Sequence, residues 1–435
     1  MTMTVLFTLY GLSFYYEIPK YWETILIASL IYCLFAGAVL RFIPHFTSFL
    51  AGDEQPHLVQ TGDRTYRRCG TRELGKLCLM ILAVRLIELL LTYVVHYIQF
   101  GYAGTFFEIQ RIWLDFYHAE SAFPMYTYLS NIFWIFTFNF NHARFIGSYV
   151  FTAMAGAALY ALVLFDFDRK TARRAVRYFF FLPISCLLMG SVPDGLFLLL
   201  SILALLFMRK RQFWAANMFG MLAAGTHALG MLLFFPILIE YISYLIGNVR
   251  SGSEMGKGYI RNQIFNAVSF ILIPIGVGLV MLYASLKLGD PLTLYRAAFG
   301  NTTVSVTQIP GALFRWIDSI VDSTGTIGVL TIPSLLATVL PQLLYLIAAC
   351  ILILIGSRKI EPSYLLLMIL TIPMIFLMNQ TGDAAHLITI TAPFCIVLAA
   401  SVQKRWLDAL LTSLFILAWL AYFYAFITGY AGGVL

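Results

Sequence analysis

The sequence predicts an all-α protein, a polytopic bundle of transmembrane helices. Apolar residues make up 60% of the chain and charged residues 11%, whereas soluble domains have roughly 45–50% and about 25%. Apolar runs such as 21–42, 77–97 and 407–427 each have about the 20 residues that cross a hydrocarbon core of roughly 30 Å as a helix. The runs lack the alternation that a barrel requires, and backbone amides at that depth must pair within their own segment, so helices are favoured.

Basic residues set the expected topology, because Lys and Arg concentrate in cytoplasmic loops. Most of the 28 Lys and Arg residues fall in six segments, namely 41–76, 169–177, 209–211, 250–261, 358–359 and 404–405. Placing all six on one side leaves both termini outside and predicts about twelve crossings, near 21–42, 77–97, 145–165, 178–192, 195–208, 213–225, 228–246, 264–286, 339–356, 362–378, 387–402 and 407–427. The apolar segments 122–138 and 325–338 do not fit as full crossings, so they are predicted to be interfacial or re-entrant helices.

Several classes of site are not indicated. The six cysteines are scattered, without a pair at metal-ligand spacing, so neither a disulfide framework nor a zinc site is expected. The net charge of +7 is explained by basic residues between spans, so no nucleic-acid partner is expected. The chain has no nucleotide-phosphate loop and no dinucleotide fingerprint, which argues against a cytosolic nucleotide as the direct substrate. Arg85 and Glu88 lie one turn apart within a span and are predicted to form a structural ion pair.

The topology places many of the ionisable residues on the outer side. Charged groups at membrane depth are costly and usually line a cavity or pathway, so their convergence predicts a site at the outer boundary. Ordinary loop polarity would explain any single one of them. The residues concerned are Asp115, His118, Glu120, Asp194, His227, Asp290, Asp383 and His386.

The outer loop 99–144 contains the candidate catalytic acids, Asp115 and Glu120, with His118 and Tyr126 among many aromatic residues. This mixture suits a hydroxylated substrate that stacks on rings and presents a hydroxyl group to a carboxylate base. The alternative interpretation is an aromatic belt that anchors an interfacial helix.

Four further candidates lie at outward turns. Asp194 follows a proline and precedes a glycine, and a helix cap would explain it without a function. His227 and His386 could bind a phosphate, or could be satisfied polar groups between helices. Asp290 belongs to the turn Gly289-Asp-Pro-Leu292.

Five segments together resemble the GPI mannosyltransferase II family (phosphatidylinositol-glycan class V) and its prokaryotic relatives, among the multi-span C-type glycosyltransferases. They occur in the same order as in the family, and the fourth is the closest match. They are Ala122-Phe-Pro-Met-Tyr-Thr-Tyr-Leu, Leu182-Pro183 with Ser191-Val-Pro-Asp194-Gly-Leu-Phe, Trp214-Ala-Ala with Ala224-Gly-Thr-His227-Ala-Leu-Gly230, Gly289-Asp-Pro-Leu292, and His386-Leu with Ala392-Pro-Phe. Compared with the family pattern, Asp194 stands in place of Glu, and His227 and His386 stand in place of Arg.

The resemblance covers roughly residues 77–430, which makes 1–76 an additional N-terminal transmembrane helix with a basic cytoplasmic loop. It implies a hexosyltransferase that moves a sugar, typically mannose, from a polyprenyl-phosphate carrier to a lipid-linked or cell-surface glycan acceptor. The reaction would take place on the non-cytosolic face of a membrane, here expected to be the bacterial plasma membrane. Asp115 resembles the acid of the family's Trp-Asp motif, with Trp113 one residue further away than in that motif, and would be the general base.

The expected mechanism is inverting, with Asp115 or Glu120 as the base. The expected substrate-binding residues are His118, Tyr126, Asp194, His227, Asp290 and His386. No cofactor is assigned, although a divalent metal ion is left open as a partner of the leaving phosphate. A transporter or a lipid or glycolipid flippase is the alternative function. It would call for mid-span ionisable groups and internal repeats, and the sequence shows no obvious repeat and no mid-span acid beyond Glu88.

Overall fold

The structure, a computed structural model, is built from helices. It describes residues 22–51, 71–100, 123–189, 193–250, 257–299, 311, 313–317, 340–357, 360–377 and 384–427, and no strand occurs within these ranges. The α-helices are α1 (Trp22–Ala51), α2 (Thr71–Phe100), α3 (Pro124–Ser130), α4 (Trp134–Thr137), α5 (Phe140–Asp166), α6 (Arg169–Phe181), α7 (Asp194–Arg209), α8 (Phe213–Ala224), α9 (Phe234–Arg250), α10 (Lys257–Ser269), α11 (Leu272–Leu288), α12 (Thr293–Phe299), α13 (Leu340–Gly356), α14 (Pro362–Leu377), α15 (Ala384–Ile390), α16 (Pro393–Ser401) and α17 (Arg405–Ile427).

Six helical stretches in the described part of the chain are long and apolar enough to cross a membrane. They are Leu26–Phe49, Arg72–Ile98, Phe140–Asp166, Ala228–Arg250, Gly258–Leu288 and Arg405–Tyr424, and the bent pair α15 and α16 would make a seventh. The prediction of a multi-pass helical membrane protein is therefore confirmed. Fewer stretches qualify than the predicted twelve crossings, partly because α8 and α14 are short.

The predicted crossing at 178–192 is wrong as a continuous helix. α6 ends at Phe181, and a 3₁₀ helix follows from Pro183 to Met189. Proline lacks the amide hydrogen that an α-helix needs and disfavours helical geometry in the residue before it, so Pro183 stops the helix. α6 itself begins in the basic segment 169–177, and it is amphipathic, with buried apolar residues on one side.

The core is centred on α7, which packs against α5 and α8. Nearly all of its residues are buried, as expected of a helix that is apolar on every side. α8 in turn packs against α11. The N-terminal α2 packs against α5 but has a broad exposed apolar surface, which includes Leu79, Leu90 and Ile98. The molecule therefore has a protected central helix and an apolar rim.

Two other predicted segments differ in outcome. Short helices are found where 122–138 was predicted to be interfacial: α3, a 3₁₀ helix at Asn131–Phe133, and α4, which ends at Phe138 with a left-handed φ of 52°. The second such segment, 325–338, lies outside the described residues. The predicted crossing at 387–402 is broken, because α15 and α16 are bent by 80° relative to each other.

Candidate functional site

Asp194 and His386 meet in the structure, although they are far apart in the sequence. Nε2 of His386 lies 3.1 Å from Oδ2 of Asp194, and the side chains are 13% and 6% exposed respectively. Asp194 is the first residue of α7, and His386 lies in the first turn of α15. The carboxylate is therefore the inner member of the pair, and the imidazole is nearer to open space.

His227 lies close to the same acid. Its ring centroid is 5.0 Å from that of Phe197, one turn after Asp194 on α7. Nδ1 of His227 accepts a hydrogen bond from the Leu229 amide at 3.1 Å. In the neutral ring the hydrogen must then be on Nε2, which leaves that atom as a donor. We call Asp194, His227 and His386 the Asp194 cluster.

Two glycines permit the close packing that forms this cluster. A Cβ at Gly195 would clash with Oγ1 of Thr152 and would lie 3.3 Å from the Ser148 carbonyl oxygen. Glycine therefore lets the start of α7 lie directly against α5. Gly230, in the 3₁₀ helix after His227, similarly touches the backbone of α8, where a Cβ would collide with Ala223. Gly195 therefore serves a close approach between two helices.

Tyr126 belongs to a segment that contacts the turn before His227. The Met125 amide donates a hydrogen bond to the Gly225 carbonyl at 3.3 Å. The Tyr126 side chain is buried, and its hydroxyl donates to the Arg144 carbonyl at 2.7 Å. This hydrogen bond joins α3 to α5. A contact between Tyr126 and substrate stays a prediction.

Asp290 is placed at the start of α12 and has local partners. Its Oδ1 accepts the Leu292 amide at 3.2 Å, and its Oδ2 accepts from Nη1 of Arg296 at 2.7 Å. Both side chains of the ion pair are exposed. Tyr295 of α12 makes an edge-to-face contact with Phe123, at 5.3 Å between centroids. Asp290 therefore lies in the turn before α12, a helix that contacts the residue preceding α3, and none of its contacts among the described residues reaches the Asp194 cluster.

The candidate acids Asp115 and Glu120, together with His118 and Asp383, lie outside the described residues. Their predicted roles stay predictions. Among the residues that the structure does describe, no group of three or more His, Cys, Asp or Glu side chains could hold a metal ion, and this includes the Asp194 cluster. A divalent metal held by these three side chains does not fit.

A second charged cluster, which the sequence did not reveal, lies at the other end of α7. Arg209 is buried, and its guanidinium contacts Asp166 at 3.0 Å, Glu240 at 2.9 Å and Glu361 at 2.7 Å. We call these four residues the Arg209 cluster. Tyr364 supports it by donating to Oδ2 of Asp166 at 2.6 Å. The expectation of no mid-span acid beyond Glu88 is therefore wrong, because Glu240 lies inside the predicted crossing 228–246. Its isolation in an apolar run was the available signal.

The basic segments also meet at this end of the bundle. Arg174 donates to the carbonyls of Ala399 and Val402, and Nη2 of Arg177 donates to both carboxylate oxygens of Asp408, at 2.6 and 2.7 Å. The segments 169–177, 209–211 and 404–405 are therefore on one side, as the topology predicted. We call this side the basic end.

The predicted ion pair within α2 is confirmed. Nη1 of Arg85 lies 2.6 Å from Oε2 of Glu88, and both side chains are buried. The guanidinium also lies 5.0 Å from the centre of the Phe180 ring and 3.4 Å from the Ser185 carbonyl. These contacts join α2 to α6 and to the 3₁₀ helix after it, which is consistent with the structural role expected for this pair.

No family model matches the chain, and no curated protein matches it.

Proposed function

We propose that this chain is a membrane glycosyltransferase that moves a sugar, mannose in particular, from a polyprenyl-phosphate carrier to a lipid-linked or cell-surface acceptor. The observation that carries the proposal is the Asp194 cluster. Three segments that the sequence predicts to be parts of a site contribute side chains to one place. In the proposal the chain has about twelve crossings in a C-type arrangement, and the Asp194 cluster faces the outside of a bacterial plasma membrane.

The proposed reaction is a displacement at the anomeric carbon. The acceptor hydroxyl oxygen forms a bond to that carbon while the bond between the carbon and the phosphate oxygen breaks. The bonding electron pair leaves with the lipid phosphate, and the hydroxyl proton passes to Asp115 or Glu120 acting as base. Attack from the side opposite to the leaving phosphate inverts the configuration.

The described residues would act on the leaving phosphate. His227 would offer its Nε2 hydrogen, and a protonated His386, with Nε2 3.1 Å from the Asp194 carboxylate, would offer its Nδ1 hydrogen. Two such donors would stabilise the negative charge that develops on the phosphate oxygen, and the partial burial of both rings would strengthen the effect.

The length of α7 supports a lipid-bound donor. Its 16 residues extend over about 24 Å, which is shorter than a hydrocarbon core of about 30 Å. If Arg209 marks the inner boundary, Asp194 lies several ångströms inside the outer one. A phosphate attached to a lipid tail can reach such a depth from within the bilayer.

The direct test uses purified protein in detergent, with radiolabelled polyprenyl-phosphate mannose or polyprenyl-phosphate glucose as the donor and a total lipid extract of bacterial membranes as the source of acceptor. Labelled product is expected although no membrane gradient is present. A transporter would not form this product. His386→Gln is expected to lower the transfer rate by roughly 10²–10³-fold, because a donor to the developing charge is lost. His45→Gln is the matched control, since His45 lies far from the cluster, with Nε2 at 3.1 Å from the Ile360 carbonyl. An active His386→Gln enzyme would remove the proposed role of the cluster.

The assignment of the base has its own test. Asp115→Asn and Glu120→Gln keep the shape of each side chain but remove its basicity, so one of them is expected to abolish transfer while donor binding persists. Transfer at the unchanged rate by both variants would reject both residues as bases.

A further inference from the structure

A cavity of about 380 Å³ lies at the basic end. It is formed between the start of α6, the end of α13 and the end of α16. Its polar lining includes Lys170, Arg174, Ser401 and Gln403. It is separate from the Asp194 cluster, since no residue of that cluster lines it.

Lys170 is the cation in this cavity that is available to a ligand. The guanidinium of Arg174 is already used by two carbonyl oxygens, and its Nε lies 3.3 Å from Asp408. Asp168, the acid in the lining, is committed as well, because its Oδ1 accepts the Thr171 amide at 3.1 Å. Lys170 is exposed and has no ion-pair partner in the described part of the chain. The lining thus contains two cations, Lys170 and Arg174, and one acid, Asp168, so one net positive charge remains, and the Lys170 ammonium is the cation that a ligand can reach.

The surroundings of the cavity are those of a membrane surface. α6 buries apolar residues such as Val176 and Phe179 on one side, and exposes Lys170 and Arg173 on the other. Ile355, whose side chain is 46% exposed on the apolar helix α13, also lines the cavity. A ligand there would have a charged part beside Lys170 and an apolar part along α13.

We propose that this cavity binds the phosphate headgroup of an anionic phospholipid from the leaflet at the basic end. Basic pockets between transmembrane helices on the cytoplasmic side are suited to such headgroups, because the leaflet is rich in anionic lipids and each Lys adds attraction. The Lys170 ammonium contacts the phosphate, and the Gln403 amide donates a hydrogen bond to it. The acyl chains lie along the exposed face of α13. The site does not depend on the proposed sugar transfer.

The test is a titration of the purified, full-length protein in detergent with short-chain lipids. Native mass spectrometry measures lipid retention, and the thermal unfolding midpoint reports stabilisation. Dihexanoyl phosphatidylglycerol is expected to bind, and dihexanoyl phosphatidylcholine and inorganic phosphate are expected to bind at least about tenfold more weakly. Equal binding of phosphatidylcholine would overturn the charge recognition, and equal binding of inorganic phosphate would overturn the lipid source.

Lys170→Gln is expected to weaken phosphatidylglycerol binding about fivefold, the effect of one surface cation on an anionic lipid. Arg173→Gln is the matched control, because it removes the same charge from the same exposed side of α6 and does not line the cavity. It is expected to bind within twofold of the unmodified protein. A loss that is equal in the two variants would show general attraction to the basic end and would reject the site.

Discussion

The two charged clusters differ in how fully their groups are paired. In the Arg209 cluster one buried guanidinium is shared by three carboxylates, and Tyr364 and Ser363 satisfy further oxygens. In the Asp194 cluster a buried acid contacts one histidine, at 3.1 Å, and both histidines are intermediate in exposure. Both are supported by α7, which has Asp194 at one end and Arg209 at the other.

This difference separates a structural role from a functional one. A buried network in which every charged group has a partner leaves little room for a ligand. The free-energy cost of burying its charges is offset only while every partner is present. Groups that remain partly accessible beside a buried charge are suited to binding and proton transfer. The contrast predicts that the Arg209 cluster controls stability, whereas the Asp194 cluster controls activity.

The largest expected effect is on stability, from Arg209→Gln. Three carboxylates would be left without their shared cation, which is expected to lower the free energy of unfolding by about 3–5 kcal/mol. Thermal unfolding of the purified protein in detergent measures it. Addition of Glu361→Gln should restore part of the loss, because it removes one of the unbalanced charges, whereas Glu240 keeps Arg211 at 3.1 Å. Arg173→Gln, on the exposed side of α6, is the control for the charge change, and equal effects of the two Arg variants would contradict the contrast.

A smaller loss is expected from Gly195→Ala, which alters the packing beside Asp194. The new methyl group would clash with Oγ1 of Thr152, and we expect a loss of about 1–3 kcal/mol. Thr152→Ala in the same chain creates space and should recover most of the loss. Gly278→Ala is the matched control, because nothing lies within 4 Å of the added atom there. A fully stable Gly195→Ala protein would show that α5 and α7 are not in tight contact at this point.

Asp194→Asn should sharpen the contrast further. It is expected to cost only about 1 kcal/mol of stability, since the shape is kept and one polar contact is weakened. Its transfer rate should fall as far as that of His386→Gln. The double variant should be no slower than either single one, because both remove the same pair. Independent, multiplying losses in rate would mean that the two residues do not act together.

The smallest expected effect comes from Asp168, the capping residue of α6. The hydrogen bond from the Thr171 hydroxyl is the main factor that lowers the pKa of this carboxyl below its usual value of 3.8. The ionised acid therefore stabilises the fold above about pH 4, and the contribution is lost as pH falls through the lowered pKa. Asp168→Ala should cost about 1 kcal/mol near pH 7 and less at pH 3. Unfolding midpoints at the two pH values measure the difference, and a cost that did not shrink at pH 3 would contradict it.

The sequence predicted the crossings best where one apolar run forms one long helix, as in α1, α2 and α17. It failed at 178–192, where Pro183 breaks an apolar run that composition alone treats as continuous. The meeting of Asp194, His227 and His386 at one end followed from topology, because each lies next to a predicted outer turn.

The Arg209 cluster was not predictable in the same way. Its acids come from the end of α5, the interior of α9 and the residue before α14. Whether they face the same guanidinium depends on how far each helix is rotated about its axis and shifted along it. Side-chain packing sets this rotation and this shift, and neither can be predicted from composition.

The sheltered position of α7 has a consequence for the membranes in which the protein can reside. Helices that contact lipid must adjust to bilayer thickness by tilting or by deforming the lipid around them. α7 is almost wholly enclosed, and the helices with much exposed apolar surface, such as α1 and α2, have 30 residues each, which is ample for tilting. The rim can therefore accommodate thicker or thinner bilayers while the distance between the two charged clusters stays constant.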